Sequence, residues 1–155
     1  MPRIDRAVVD VDASPERVYA AFVDAEALCS WLPPGDMSGE LSEVDLTVGG
    51  GFTMALRYAE APAGGAKTTD DTDVSRVAID DLVEGERVVW GVEFESDDPD
   101  ATGRMAMTWT FTARGTGTRV AVDVTDVPRA IDAEAHQQGL DASLANLAAW
   151  CARGA

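Results

Sequence analysis

Lysine is almost missing from this sequence: of 155 residues one is a lysine, Lys67, one is a histidine, His136, and two are cysteines, Cys29 and Cys151. Each shortage excludes something. Two cysteines without a Cys-x-x-Cys pair or a neighbouring histidine make neither a disulfide framework nor a zinc site, and both thiols are expected to be buried. Positive charge is scarce as well, with 12 basic residues against 28 acidic ones and a net charge of −16. Such a chain repels a polyphosphate backbone and an anionic membrane surface alike, so neither nucleic acid nor membrane is expected as a partner. The acidic bias, 18 Asp to 10 Glu, fits a salt-rich cytoplasm or a GC-rich genome and carries no functional signal. No apolar run approaches the roughly 20 residues that span a bilayer. The opening Met1-Pro2-Arg3-Ile4-Asp5-Arg6 lacks the apolar stretch of a signal peptide, and a cytoplasmic location is expected.

What is present is the composition of one globular domain over residues 1–155, with 46% hydrophobic and 26% charged residues. A chain of this length hides roughly 70% of its unfolded surface, so a real core is available. Residues 3–11 place Ile4, Val8, Val9 and Val11 among charges, the pattern of a half-buried strand. Ser14 followed by Pro15 reads as an N-cap and first helical residue. A helix with Val18, Phe22, Ala21 and Ala25 on one face follows, then a second short helix over 25–31 that Pro33-Pro34-Gly35 stops.

Beyond Gly49-Gly50-Gly51 the period changes to two. Phe52, Met54 and Leu56 alternate with Thr53, Ala55 and Arg57, and Val88, Trp90, Val92 and Phe94 with Val89, Gly91 and Glu93. Residues 104–112 show it most clearly: Met105, Met107, Trp109 and Phe111 on one face, Ala106, Thr108, Thr110 and Thr112 on the other. The turn Gly115-Thr116-Gly117 joins that strand to 118–125 as an antiparallel hairpin, and 70–82 supplies a further strand. Residues 60–69 and 95–103 read as surface loops. After Val127-Pro128, residues 131–153 form a long helix with Leu140, Leu144, Leu147 and Cys151 in one stripe. Gly139 within it marks either a kink or a neighbour's close approach, or a tolerated surface position. Together these elements predict an α+β fold in which an antiparallel sheet wraps around the C-terminal helix.

Several stretches carry a family resemblance spanning residues 6–152. They are Ala13-Ser14-Pro15-Glu16-Arg17-Val18-Tyr19, the segment 24–34 with Leu28, Trp31 and Leu32, and Asp45-Leu46-Thr47-Val48-Gly49-Gly50-Gly51-Phe52. To these add 77–90 ending in Glu86-Arg87-Val88-Val89-Trp90, 108–122 with Gly117-Thr118-Arg119-Val120, and 136–147, where Leu140 stands in place of the family's frequent Trp. In order and spacing the chain resembles the START-like superfamily, also called SRPBCC or Bet v 1-like, in its branch related to the activator of heat-shock-protein-90 ATPase. The resemblance implies a helix-grip fold: a seven-stranded antiparallel curved sheet, two short helices between strands 1 and 2, and a long C-terminal helix across the concave face. It also implies a hydrophobic cavity between helix and sheet, although fold alone names no ligand.

On that arrangement Phe52, Met54, Trp90, Phe94, Met105, Met107, Trp109 and Phe111 face Leu140, Leu144 and Leu147, lining a site for an apolar or aromatic small molecule. The same residues also serve simply as core. Trp31, before the Pro-Pro-Gly stop, either guards the mouth of that cavity or caps the core. Tyr58 and Arg57 end a strand, with Arg57 out of phase with the inner face.

Catalytic signals are sparse. His136 and Glu134, two residues apart, do not share a helical face, and Glu134 with Gln138 describes a solvated helix end. No nucleophile elbow or Cys-His pair is present, and neither Ser30 nor Ser143 has an evident base. Asp70-Asp71-Thr72-Asp73 and Asp97-Asp98-Pro99-Asp100 lack the pattern of a calcium loop, and the triple glycine lacks the Lys-Ser/Thr of a phosphate loop. No catalytic residue, metal or cofactor is predicted. The expected function is non-catalytic binding of a hydrophobic or aromatic metabolite. The alternatives are a polyketide cyclase or aromatase-like enzyme and a chaperone-ATPase-activating module. A chaperone partner is not expected, because eukaryotic activators carry an additional N-terminal domain and this chain begins at its first strand. A homodimer through sheet edges or the convex face stays open.

Overall fold

A computed structural model describes residues 3–33, 38–57, 72–94, 103–128 and 131–153. In chain order it contains β1 (Ile4–Val11), α1 (Pro15–Ala20), α2 (Ala25–Trp31), β2 (Ser38–Asp45), β3 (Gly51–Arg57), β4 (Thr72–Val83), β5 (Arg87–Phe94), β6 (Arg104–Arg114), β7 (Gly117–Thr125) and α3 (Ala133–Arg153). The strands form one seven-stranded sheet in the order β1-β7-β6-β5-β4-β3-β2, with every neighbouring pair antiparallel. This is the helix-grip arrangement that the resemblance implies.

The alternation of apolar residues sets which face of each strand turns inward. In β6 Met105, Met107, Trp109 and Phe111 are buried, and in β7 Val120, Val122 and Val124 are. The register places Trp109 against Val122 and Phe111 against Val120, so large and β-branched side chains interlock across the hairpin. A one-residue slip would turn both sets to solvent, which is why the register is specified so firmly.

The short helices are held by their caps. Ser14 Oγ accepts from the Arg17 N–H at 3.2 Å, and Asp24 accepts from the Glu26 and Ala27 N–H groups. Beyond the last turn of α2 the carbonyls are satisfied from another helix: Ser143 Oγ donates to Leu32 O at 2.7 Å and Asn146 Nδ2 to Pro33 O at 2.9 Å. Strand β2 passes so close beneath Pro33 that a Cβ on Gly39 would lie 2.6 Å from the proline Cγ. The triple glycine is a turn, with Gly49 at φ +90° and its N–H donating to Ile79 O.

Two expectations need adjustment, and one open alternative is resolved. Cys29 is half-buried, because it lies one residue off the inward stripe of Ala27, Leu28 and Trp31. The last helix begins at Ala133, since the Asp132 carboxylate accepts from the Ala135 N–H and caps it there. Gly139 is a tolerated surface position: a Cβ built on it meets nothing within 4 Å. Tyr58, residues 60–69, Asp70, Asp71 and the cluster 97–100 lie outside the described residues. Among the described residues no helix is long and apolar enough to cross a membrane, and no group of His, Cys, Asp and Glu is placed to hold a metal ion.

Candidate functional site

The inner sheet face meets α1, α2 and α3 in one continuous apolar cluster. Of the twelve residues singled out from the sequence, Trp31, Phe52, Met54, Trp90, Met105, Met107, Trp109, Phe111, Leu140, Leu144 and Leu147 are buried, and Phe94 is half-buried at the rim. The structure brings them together on the faces expected. Arg57 is exposed on the opposite face of β3.

The aromatic rings within this cluster touch one another. Phe22, carried by the turn after α1, sits at their centre, with ring centroids 4.8 Å from Trp31, 5.1 Å from Trp109, 5.3 Å from Phe111 and 5.7 Å from Trp90. Trp90 and Trp109 stand 5.3 Å apart, and Phe52 packs edge-on against Trp90 at 5.5 Å. Inclined and edge-to-face pairs of this kind contribute roughly 0.5–1.5 kcal/mol each beyond simple burial. Val18 and Phe22 do not share a helix face as their spacing predicts: α1 ends at Ala20, Ala25 opens α2, and Phe22 lies in the turn between them. Two recesses beside the sheet, of about 200 and 280 Å³, are lined by other residues, among them Arg76, Gly91 and Arg104 in one and Ser38, Glu40 and Arg57 in the other.

Polar atoms in this interior fall into two kinds. The indole N–H of Trp31 donates to Ala21 O at 2.9 Å, so this side chain caps the core. The indole Nε1 atoms of Trp90 and Trp109 are buried and have no hydrogen-bond partner among the described residues. A donor stranded in this way costs about 1–3 kcal/mol. Ser75, buried on β4, interrupts the apolar face opposite Phe94. None of these polar features is visible as a motif; only the inward phase of their strands could have pointed to them.

A second cluster joins the start of α3 to β1. Arg3 donates to both carboxylate oxygens of Asp5, from Nε at 2.9 Å and Nη2 at 2.7 Å, and its Nη1 donates to Ile131 O. His136 Nδ1 lies 2.6 Å from Asp5 Oδ2. The Arg3 hydrogen bonds, opposed by burial and aided by His136, hold the Asp5 carboxyl down at about 2. A carboxylate that orients an imidazole is part of many general bases. Here Arg3 takes both oxygens of that carboxylate, so the geometry is that of a fastening for α3. At the other end of α3, Arg17 donates to Trp150 O and Cys151 O and lies 3.7 Å above the Trp150 ring. Burial pushes the Cys151 thiol up to about 11, so it is no nucleophile at neutral pH.

Residues 12–152 match the family model described as activator of Hsp90 ATPase homolog 1-like protein. Among solved structures, protein CV1439 from Chromobacterium violaceum is 30% identical, with 97% of this chain and 98% of that one covered and a TM-score of 0.82. Mll3558 from Rhizobium loti is 25% identical, covering 96% of each chain, with a TM-score of 0.73. DynU16, a protein from the dynemicin biosynthetic locus, shares the fold at 20% identity and a TM-score of 0.68; 97% of this chain covers 48% of it. Among curated proteins nothing matches.

Proposed function

The chain belongs to the activator of Hsp90 ATPase homolog 1-like family, and from that premise we propose that it binds a hydrophobic or aromatic small molecule between the inner sheet face and α3. The observation that carries this reading is the chemistry of the interior. Aromatic rings and three methionines, Met54, Met105 and Met107, share the inner sheet face, and that face runs out to half-buried Leu56 and Phe94. Methionine side chains repack at low cost, so an interior of this kind adapts to an apolar guest. The role is carriage or sensing in the cytoplasm.

Native mass spectrometry of the protein purified gently from its own host tests this directly. The expected result is a stoichiometric apolar adduct that denaturation releases. A clean unliganded mass in every preparation counts against it. A cyclase- or aromatase-like activity is the second reading, and what supports it is that DynU16, which shares the fold, belongs to a biosynthetic locus. On that reading a supplied poly-β-ketone is converted, whereas a carrier returns it unchanged. A chaperone-directed role rests on the family description, and a pull-down at low salt tests it.

A further inference from the structure

Three of the four tryptophans point into the core, and they differ in how their indole N–H is used. Trp31 gives its proton to Ala21 O. Trp90 and Trp109, 1% and 0% exposed, have no nitrogen or oxygen acceptor for theirs among the described residues. An indole is a donor only, so neither nitrogen can be satisfied by a neighbouring N–H or O–H proton. Where volume alone is needed, phenylalanine or leucine fills a sheet face without stranding a donor, as Phe52 and Phe111 do on adjoining positions of the same face. The two stranded donors are not scattered. They belong to rings in mutual contact at 5.3 Å, inclined by 66°, on neighbouring strands.

We propose, on the reading that the interior takes up an apolar small molecule, that Trp90 and Trp109 donate their indole N–H groups to an uncharged oxygen acceptor on it. The ligand class is an aromatic or polycyclic compound bearing a ketone, quinone or similar carbonyl oxygen. The surroundings select against charge. The aromatic side chains packed on these two rings, besides each other, are Phe22, Phe52 and Trp31, within a cluster of buried hydrophobic residues. The buried polar residues among those described are Asp5, Ser75, Thr118 and Ser143, none of them cationic. A carboxylate entering here would lose its hydration without a counter-charge, and the field of a chain at −16 opposes it further. An uncharged carbonyl oxygen is the better match, since it accepts from an indole N–H and carries no donor of its own to strand. Repacking of Met107, which pairs with Trp90 across the strands, provides adaptable volume next to the acceptor position.

The test uses matched probes and the four indole signals of the protein labelled with ¹⁵N at tryptophan. The probes are acetophenone against ethylbenzene, 1-tetralone against tetralin and fluorenone against fluorene, with 2-naphthoate as the anionic arm. The expected result is that at least one ketone binds about tenfold or more tighter than its hydrocarbon partner, a difference of about 1.4 kcal/mol. The Trp90 and Trp109 indole signals shift downfield on binding, the Trp31 signal stays, and 2-naphthoate does not compete. Trp90→Phe and Trp109→Phe each reduce the ketone preference, and the spectra of the unsubstituted protein decide the matter should a variant fail to fold. Equal affinity for ketone and hydrocarbon overturns the donor assignment and leaves uptake of an apolar molecule standing. So does a buried water still in contact with both indoles at saturating ketone. Failure of every pair to bind overturns both.

Discussion

At the two ends of α3 the polar groups are spent, whereas beneath the middle of the sheet two are left over. Arg3, Asp5 and His136 satisfy one another and the Ile131 carbonyl at the N-terminal end, and Arg17 closes the C-terminal end through the Trp150 and Cys151 carbonyls. Ser143 and Asn146 do the same for the chain leaving α2. These contacts hold helices in place. The interior holds Trp31 in the same manner but not Trp90 and Trp109. The contrast separates side chains whose chemistry is consumed by the fold from those whose chemistry is still available.

Substitutions that act on one region and spare the other sharpen this contrast. The largest effect is expected for Phe22→Ala, which removes the ring at the centre of four aromatic contacts. A loss of roughly 3–5 kcal/mol is expected from urea unfolding, because the surrounding rings close the void only in part. A loss below 1 kcal/mol would mean that the interior collapses freely. Next comes the comparison of Trp31→Phe with Trp90→Phe. Both shed similar volume, but the first strands the Ala21 carbonyl and the second relieves a stranded donor. Trp31→Phe is therefore expected to be the more damaging by roughly 2 kcal/mol, and equal losses would remove the distinction between the two indoles.

Asp5→Asn reaches the fastening instead. The Asp5 carboxyl falls from its ordinary 3.8 to about 2 in the folded protein, so its contribution is fully present above about pH 4 and is lost as the pH drops through 2. Linkage gives about 2 kcal/mol, and the partial exposure of Arg3 reduces this to about 1 kcal/mol. Unfolding of wild type and variant between pH 6 and pH 2 should show a constant gap that narrows below pH 4. A gap that does not narrow would remove the ion pair from the account. The smallest effect is a gain: Gly139→Ala, with open space around its new methyl group, is expected to raise stability by about 0.5–1 kcal/mol. A loss in its thermal melt would mean that a neighbour does approach this position.

Much of the architecture was legible in the residues. The bounds of α2 coincide with those read from its Pro-Gly stop, and β6 and β7 carry a period-two pattern that only one inward face satisfies. Strand β2 was not legible as a strand, because Ser38–Asp45 is exposed or half-exposed along its length and belongs to a sheet edge. Its place is set by pairing with β3, and backbone hydrogen bonding leaves no side-chain signature. The candidate interior divides in the same way. Its apolar members follow from alternation and from the leucine stripe of α3. Which indole finds an acceptor depends on the path of a backbone beyond its own element: Ala21 O comes within reach of Trp31, and no described acceptor comes within reach of the other two.

Periodicity, caps and breakers act within a few residues, so the sequence alone determined the helices, the strands other than β2, and the apolar face of those strands whose period is clear, β1 not among them. The antiparallel α+β organisation followed from these. Contacts between residues far apart in the chain obey no such local rule. His136 meets Asp5 across 131 positions and Asn146 meets Pro33 across 113; neither pairing leaves a pattern to read. Tertiary structure decided that the lone histidine fastens a helix, that Phe22 is the hub of the rings, and that two indole donors are left without partners. The physical reason is that a hydrogen bond depends on positions in space to within a few tenths of an ångström, a precision reached only once every element has packed.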